Sequence, residues 1–190
     1  MFIDITLKVT PKLIENAQGS EVKLLTNNGH IGTHFDVMDK EFPLEYVERS
    51  GIVFDISRVG TEREIAASDI DLSKVSADMF VAFYSGFIET HEYGTQDYFS
   101  GHPHLATALI EELLERKISI IGVDFAGVRR GQEHTPMDQR CADRSVFVIE
   151  NLCNLQAILN GAPSALFTAN TYPIHYTNMS GLPCRVVAKV

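Results

Sequence analysis

The sequence predicts a single α/β domain with a mixed sheet, on three observations. Short apolar runs rich in β-branched residues, typical of buried strands, recur along the 190 residues, at 51–57, 79–87 and 118–125. An amphipathic segment at 104–117 directly precedes the last run, and strand, helix and strand in this order indicate a right-handed crossover between parallel strands. No internal repeat or linker interrupts the sequence, so residues 1–190 are expected to form one domain.

The first part of the chain adds shorter elements. Residues 2–9 alternate apolar and polar side chains, which predicts a strand, and residues 22–26 predict a second one. The second strand leads into a polar stretch at 27–42 that contains histidines. Pro43 can open a short helix over 43–50, because its missing N–H falls among the unpaired donors of the first turn.

The later part of the chain adds two loops and four further elements. Residues 88–101 and 126–141 are polar and irregular, and we interpret both as functional loops, since long loops in a compact domain are usually functional. The other predicted elements are a strand, a short helix and two closing strands, at 145–150, 151–159, 165–176 and 182–190.

Charge and cysteine content narrow the class of protein. Asp and Glu number 25 against 16 Lys and Arg, and the resulting net charge of −9 repels phosphate backbones, so we expect no nucleic-acid partner. The three cysteines form no close pair, which favours reduced thiols in a cytoplasmic protein over a disulfide framework. The N-terminus begins with a strand pattern and no segment approaches about 18 consecutive apolar residues, so neither a leader nor a membrane span is expected.

The stretch 27–42 carries the clearest chemical signal, because His30, His34 and Asp36 fall within seven residues. Two imidazoles and a carboxylate are a typical ligand set for a divalent metal, and three ligands leave a position open for water. A helix cannot present all three, since position 36 would lie about 240° from position 30 at roughly 100° per residue. An extended segment points them to one side, together with Lys40. The alternative is a polar turn followed by an ordinary strand.

The same residues resemble a known signature. The segment His30–Asp36 resembles the H-x-G-T-H-x-D motif of the cyclase family of metal-dependent hydrolases, which includes bacterial kynurenine formamidase and isatin hydrolase. Residues 101–128, 145–155 and 182–190 are similar to other segments of that family. The resemblance implies a mixed-sheet domain of the swivelling β/β/α type, assembled as a homodimer or homotetramer.

The resemblance also implies a ligand set. The two histidines and the aspartate of the motif would hold one divalent ion, zinc or manganese. A second ion in this family is shared by the aspartate and held by two further histidines and a glutamate. Glu150 matches the glutamate, but Lys40 and Asp138 stand where the histidines are expected. Because a lysine ammonium cannot donate a lone pair, we expect one ion per chain and no second metal. Lys40 would then supply positive charge beside Asp36 and Glu150, or be a solvated surface residue.

The reaction implied by the resemblance is hydrolysis of a small amide, an aryl formamide or a lactam, by a metal-bound hydroxide. The leaving amine needs a proton. Lys40, if its pKa were lowered beside the metal, is one candidate catalytic group for that transfer. The others are Asp138 and Glu150, with His134 as a rival.

Two residues of the loop at 88–101, His91 and Tyr93, are expected to line the substrate pocket, because the family shapes its pocket there; plain exposure is the alternative. The expected partner is a small-molecule amide. A second class of function is a family member that binds a metal and a small ligand without turnover. The replacements Lys40 and Asp138 favour that second class.

Overall fold

The computed structural model describes residues 1–18 and 27–190, and the strand predicted at 22–26 lies outside them. The strands are β1 Phe2–Asp4, β2 His34–Asp36, β3 Glu48–Asp55, β4 Phe80–Tyr84, β5 Ile120–Val123, β6 Phe147–Glu150, β7 Ser164–Pro173 and β8 Gly181–Lys189. The helices are α1 Pro11–Gln18, α2 Phe87–Thr90, α3 Gln96–Gly101, α4 Thr107–Glu115, α5 His134–Asp143 and α6 Leu155–Leu159.

The strands form one mixed sheet that closes on itself. Within the described residues the strand order is β1-β8-β2-β6-β5-β4-β3-β7, and β7 also pairs with β8. Seven strands therefore surround one interior, while β1 extends the sheet from β8. The neighbours β3, β4, β5 and β6 run parallel, and the other pairs are antiparallel. The predicted α/β domain with a mixed sheet is confirmed, including the crossover from β4 through α4 to β5.

Alternate residues of the central strands pack into two apolar layers. On β5, Ile120 faces the barrel interior together with Phe35 and Ile149. Its neighbour Ile121 faces the outer layer, which includes Leu109 of α4. Helices cover one face of these strands and the barrel interior lies behind the other, so both faces are buried. This burial explains why the strand sequences are apolar almost without interruption.

Two predicted elements are shorter than their patterns suggested. The strand predicted over 2–9 is limited to β1, and the helix predicted over 43–50 is a single 3₁₀ turn at Leu44–Val47. The chain cannot continue as a helix there, because Glu48 already pairs with Asn170 of β7. Tertiary strand pairing thus overrides the local helix signal.

The two predicted loops contain helices. Residues 88–101 hold the end of α2 and all of α3, and residues 126–141 overlap α5. Pro136 stands in the first turn of α5, where its missing N–H costs no hydrogen bond. The helix places His134 and Asp138 one turn apart on the same face. No helix in the described ranges is long and apolar enough to cross a bilayer.

Candidate metal centre

The centre lies where β2 pairs with the end of β6. In this antiparallel pair His34 is opposite Glu150 and Asp36 is opposite Val148. Phe35, between the two motif residues, packs into the barrel interior. Since side chains alternate along a strand and opposite residues share a face, His34, Asp36 and Glu150 all point outward. The extended conformation predicted for the motif is confirmed for His34–Asp36.

Three donor atoms converge at this point. Nδ1 of His30 lies 2.8 Å from Oδ1 of Asp36 and 3.1 Å from Nε2 of His34. Nε2 of His34 lies 3.6 Å from the same Asp36 oxygen. The structure therefore brings together the three residues that the motif predicts as ligands, as a group that could hold a metal ion.

Each imidazole uses its second nitrogen for support. His34 Nδ1 donates to the carbonyl of Gly32 at 2.9 Å, so Nε2 is the nitrogen that faces Asp36. His30 Nε2 lies 2.7 Å from the Ser180 hydroxyl, so Nδ1 faces the same place. Such outer partners set the tautomer and the direction of a metal-binding imidazole. Gly32 makes the arrangement possible, because its φ of +67° is a left-handed conformation that favours glycine.

The threonine of the motif has a structural role. Thr33 is buried, with an exposure of 3%, and its hydroxyl donates to the carbonyl of Asn151 at 2.7 Å. The same hydroxyl accepts from the backbone N–H of Leu7 at 2.8 Å. Thr33 thus ties the start of β2 to the segment after β1 and to the turn after β6.

A second group of donors adjoins the first. His134 Nε2 lies 2.9 Å from Oε1 of Glu150 and 3.1 Å from Oδ2 of Asp138. Together with Asp36 these residues offer four ligand atoms that lie within 4.8 Å of one another. Asp36 therefore belongs to both groups. Asp138 stands where the resemblance implies a histidine, but a histidine is present all the same, because α5 supplies His134 one turn before Asp138. The signal that could have found it is the i, i+4 spacing of His134 and Asp138 around Pro136.

The carboxylates of the two groups attract positive charge. Burial alone would lower the pKa of both His34 and His134. The charge of Asp36, supported by Glu150, instead raises the pKa of His34 to about 9. Glu150 and Asp138 raise the pKa of His134 to about 12. Burial and the neighbouring charge of Asp36 raise the pKa of the Asp138 carboxyl to about 8.

Two carboxylate oxygens support the fit of a cation to these groups. Oδ2 of Asp36 and Oδ1 of Asp138 are buried and have no hydrogen-bond partner among the described residues. A buried carboxylate oxygen without a partner is costly, and a bound cation would compensate both. Imidazole nitrogens and carboxylate oxygens at this spacing suit zinc or manganese. The residues present therefore fit a divalent ion.

Lys40 does not join the centre. Its ammonium lies 2.8 Å from Asp143 and 3.0 Å from Asp39, and its side chain is 36% exposed. Both carboxylates raise the pKa of Lys40, so the expectation of positive charge beside Asp36, or of a lowered pKa there, is wrong. The shared side predicted for positions 36 and 40 requires extended backbone. The strand ends at Asp36, and Met38 turns the chain with a φ of +57°.

The two candidate substrate residues have different positions. Tyr93 is half-buried, and its hydroxyl accepts from the backbone N–H of Gly32 at 2.8 Å, so it contacts the motif directly. His91 is exposed, and its ring stacks on Phe87 at 3.9 Å between centroids. The structure thus brings Tyr93, but not His91, against the metal motif.

Comparison with known proteins agrees with this fold and motif. The sequence profile of the family described as "Putative cyclase" matches residues 3–129, which is well over half of the chain. The chain belongs to the cyclase family. The match includes His30–Asp36 and ends before His134, so Asp36 is the one member of the second donor group inside it, and His134, Asp138 and Glu150 lie outside. No protein of the curated set matches the sequence significantly.

Several solved structures share the fold of this cyclase-family chain. One is described as a potential metal-dependent hydrolase with cyclase activity; it is 19% identical, with a TM-score of 0.74 over 99% of this chain and 96% of its own. Isatin hydrolase A from Labrenzia aggregata is 17% identical, with a TM-score of 0.71, and the match covers 99% of this chain and 93% of that protein. A predicted metal-dependent hydrolase from Bacillus stearothermophilus is 18% identical, with a TM-score of 0.71, and the match covers 99% of this chain and 97% of that protein. The predicted swivelling, cyclase-like fold is confirmed.

Proposed function

We propose that the protein is a metal-dependent hydrolase that cleaves a small amide, either an aryl formamide or a lactam. The observation that carries the proposal is the convergence of His30, His34 and Asp36, whose donor atoms lie within 3.6 Å of one another. Membership of the cyclase family supports a hydrolase, and one structural neighbour is an isatin hydrolase. Isatin is a lactam fused to an aromatic ring, which is why we propose small amides of aromatic compounds as the substrate class.

The chemistry divides between an ion and the side chains. When bound, a divalent ion would lower the pKa of water toward neutrality and polarise the amide carbonyl. Asp138 and Glu150 are buried carboxyl groups beside the three motif ligands, and His134 Nε2 contacts both. The His134 side chain is 33% exposed, so it connects the buried carboxyls with solvent. While no second ion occupies them, these groups can deliver a proton to the leaving amine. Tyr93 and, farther out, His91 are the proposed substrate contacts.

We also propose that the chain has sites for two ions rather than the single ion expected from the sequence, and that a second ion would take the place of the proton shared by these groups. Asp36 would be shared, with the second ion held by His134, Asp138 and Glu150. The buried oxygens of Asp36 and Asp138 that lack partners among the described residues support this count. The first group, with two imidazoles, suits zinc. The second group is richer in carboxylates and suits manganese as well as zinc.

Metal content tests the count. Wild-type protein is loaded with Zn²⁺ or Mn²⁺, desalted and analysed by mass spectrometry of the elements. Two equivalents are expected, falling to one in Asp138→Asn. Asp39→Asn is the matched control, because Asp39 is exposed and pairs with Lys40 and Gln139. One equivalent in both the wild type and Asp138→Asn would contradict the two-ion proposal.

A panel of aryl formamides and cyclic amides, isatin included, tests the reaction. Metal-dependent turnover that disappears in His34→Ala supports the proposal. His175→Ala is the matched control, since His175 is exposed on the segment after β7. The alternative function, binding without turnover, is favoured by Asp138, which stands where the family has a histidine. Tight binding of panel compounds by the metal-loaded protein without any hydrolysis would establish that alternative.

The proposed assembly is a homodimer or homotetramer. Leu166 and Tyr172 of β7 are 70% and 59% exposed, and their even spacing along the strand puts both on one face that a second copy could cover. Light scattering after size-exclusion chromatography distinguishes these states from a monomer of 21.1 kDa.

A further inference from the structure

Asn151 follows the ligand Glu150 directly, yet it is buried in an unusual conformation. Its φ is +59°, and only 1% of its surface is exposed. Asparagine tolerates the left-handed region better than most residues, but glycine tolerates it best. A turn alone would therefore not require an asparagine here. The side chain must contribute something that glycine lacks.

Both ends of the Asn151 amide are engaged inside the protein. Its Nδ2 donates to the carbonyl of Gly32 at 2.9 Å, and its Oδ1 accepts from the hydroxyl of Tyr98 at 2.7 Å. Tyr98 is itself fully buried. These two hydrogen bonds leave the amide one orientation, because a flipped amide would place Oδ1 against the Gly32 carbonyl, acceptor against acceptor.

The Gly32 carbonyl is the group that orients His34. It accepts from His34 Nδ1 at 2.9 Å and from Asn151 Nδ2 at the same distance. A glycine with a φ of +67° has little intrinsic stiffness, so its carbonyl must be held by its neighbours. Tyr93 holds the N–H of Gly32, and Asn151 holds its C=O.

We propose that Asn151 is a positioning residue for the metal centre. It acts through the Gly32 carbonyl, keeps the proton of His34 on Nδ1 and so leaves Nε2 to bind a divalent cation. The proposal rests on the metal-binding role of His34 proposed above. Groups that contact a metal ligand directly typically contribute about 10- to 100-fold to metal affinity, and Asn151, one contact farther away, is expected at the lower end of that range.

Asn151→Gly removes the amide and keeps the backbone conformation. The chain offers a matched control in Asn154→Gly, because Asn154 also has a left-handed φ, of +55°, and donates to a backbone carbonyl, that of Asp4, at 2.8 Å on the surface. The Zn²⁺ dissociation constant is measured by competition with a chromogenic chelator. Asn151→Gly is expected to bind Zn²⁺ about 10-fold more weakly than the wild type, and Asn154→Gly is expected to bind like the wild type.

A second readout separates positioning from general stability. In the zinc-loaded wild type, the His34 Nδ1–H is expected as a slowly exchanging proton signal in the NMR spectrum. This proton should exchange faster in Asn151→Gly. It should also exchange faster, to a smaller degree, in Tyr98→Phe, because that variant leaves the Asn151 amide free to rotate. Tyr98→Phe replaces Asn151→Gly in the test if the glycine variant does not fold. Unchanged affinity and exchange in the folded variants would overturn the inference alone. A wild type that binds neither Zn²⁺ nor Mn²⁺ would overturn both the proposed function and this inference.

Discussion

Replacement of Thr33 by valine tests how the motif is held in place. Valine has nearly the same shape but no hydroxyl, so it removes the bonds to the Asn151 carbonyl and to the Leu7 N–H, of 2.7 and 2.8 Å. The carbonyl is buried and loses this donor, while Leu7 is half-buried and partly reached by water. At about 1–3 kcal/mol for each buried group left without a partner, we expect the free energy of unfolding to fall by about 2–4 kcal/mol.

The assay is urea unfolding with a chelator present, which removes any contribution from bound metal. Thr33→Ser is the control, because it keeps the hydroxyl and loses only a methyl group, worth about 1 kcal/mol. The valine variant should therefore be less stable than the serine variant, with the same dependence on urea concentration. A valine variant as stable as the wild type would refute the view that the hydroxyl holds the motif.

Three further predictions follow from the same contacts. Gly29→Ala should destabilise the protein by more than Gly60→Ala, as measured by urea unfolding. Both glycines have a positive φ, but a Cβ on Gly29 would lie 1.9 Å from the Gly181 carbonyl oxygen, whereas a Cβ on Gly60 would meet open space. Because the pKa of His34 rises from 6.5 to about 9 on folding, the metal-free protein should lose stability as pH rises from 6.5 through 9. Metal affinity should increase over the same range, because the proton leaves His34. Urea unfolding of the metal-free protein and calorimetry of metal binding, each at several pH values, check the two trends. Lys40→Ala should leave the zinc dissociation constant unchanged, because its ammonium pairs with Asp143 and Asp39 outside the centre; weaker binding would contradict that placement.

The central strands and the first ligand group were predictable because their causes are local. Buried strands need apolar, β-branched runs, and an amphipathic segment between two of them indicates a crossover. The spacing of His30, His34 and Asp36 excluded a helix, and β2 is indeed extended. A family signature in the same seven residues added the expected ligands.

The second ligand group depended on distant parts of the chain. Helix α5 was missed because its polar sequence resembles a loop, and His134 reaches Glu150 only because α5 packs over β6. The position of Lys40 was predicted wrongly because a local rule was extended beyond the strand to which it applies. Alternation of sides holds only while the backbone stays extended, and the turn at Met38 ends it.

By itself, the sequence determined the α/β class, the central strands and the chemical type of the motif, since these follow from periodicity, side-chain chemistry and the resemblance of the motif to a family signature. Only the tertiary structure decided which groups surround Asp36. The register of β2 against β6 sets His34 opposite Glu150, and the packing of α5 adds His134 and Asp138. Contacts between residues so far apart in the sequence depend on how the whole sheet closes, and no local sequence pattern predicts that closure.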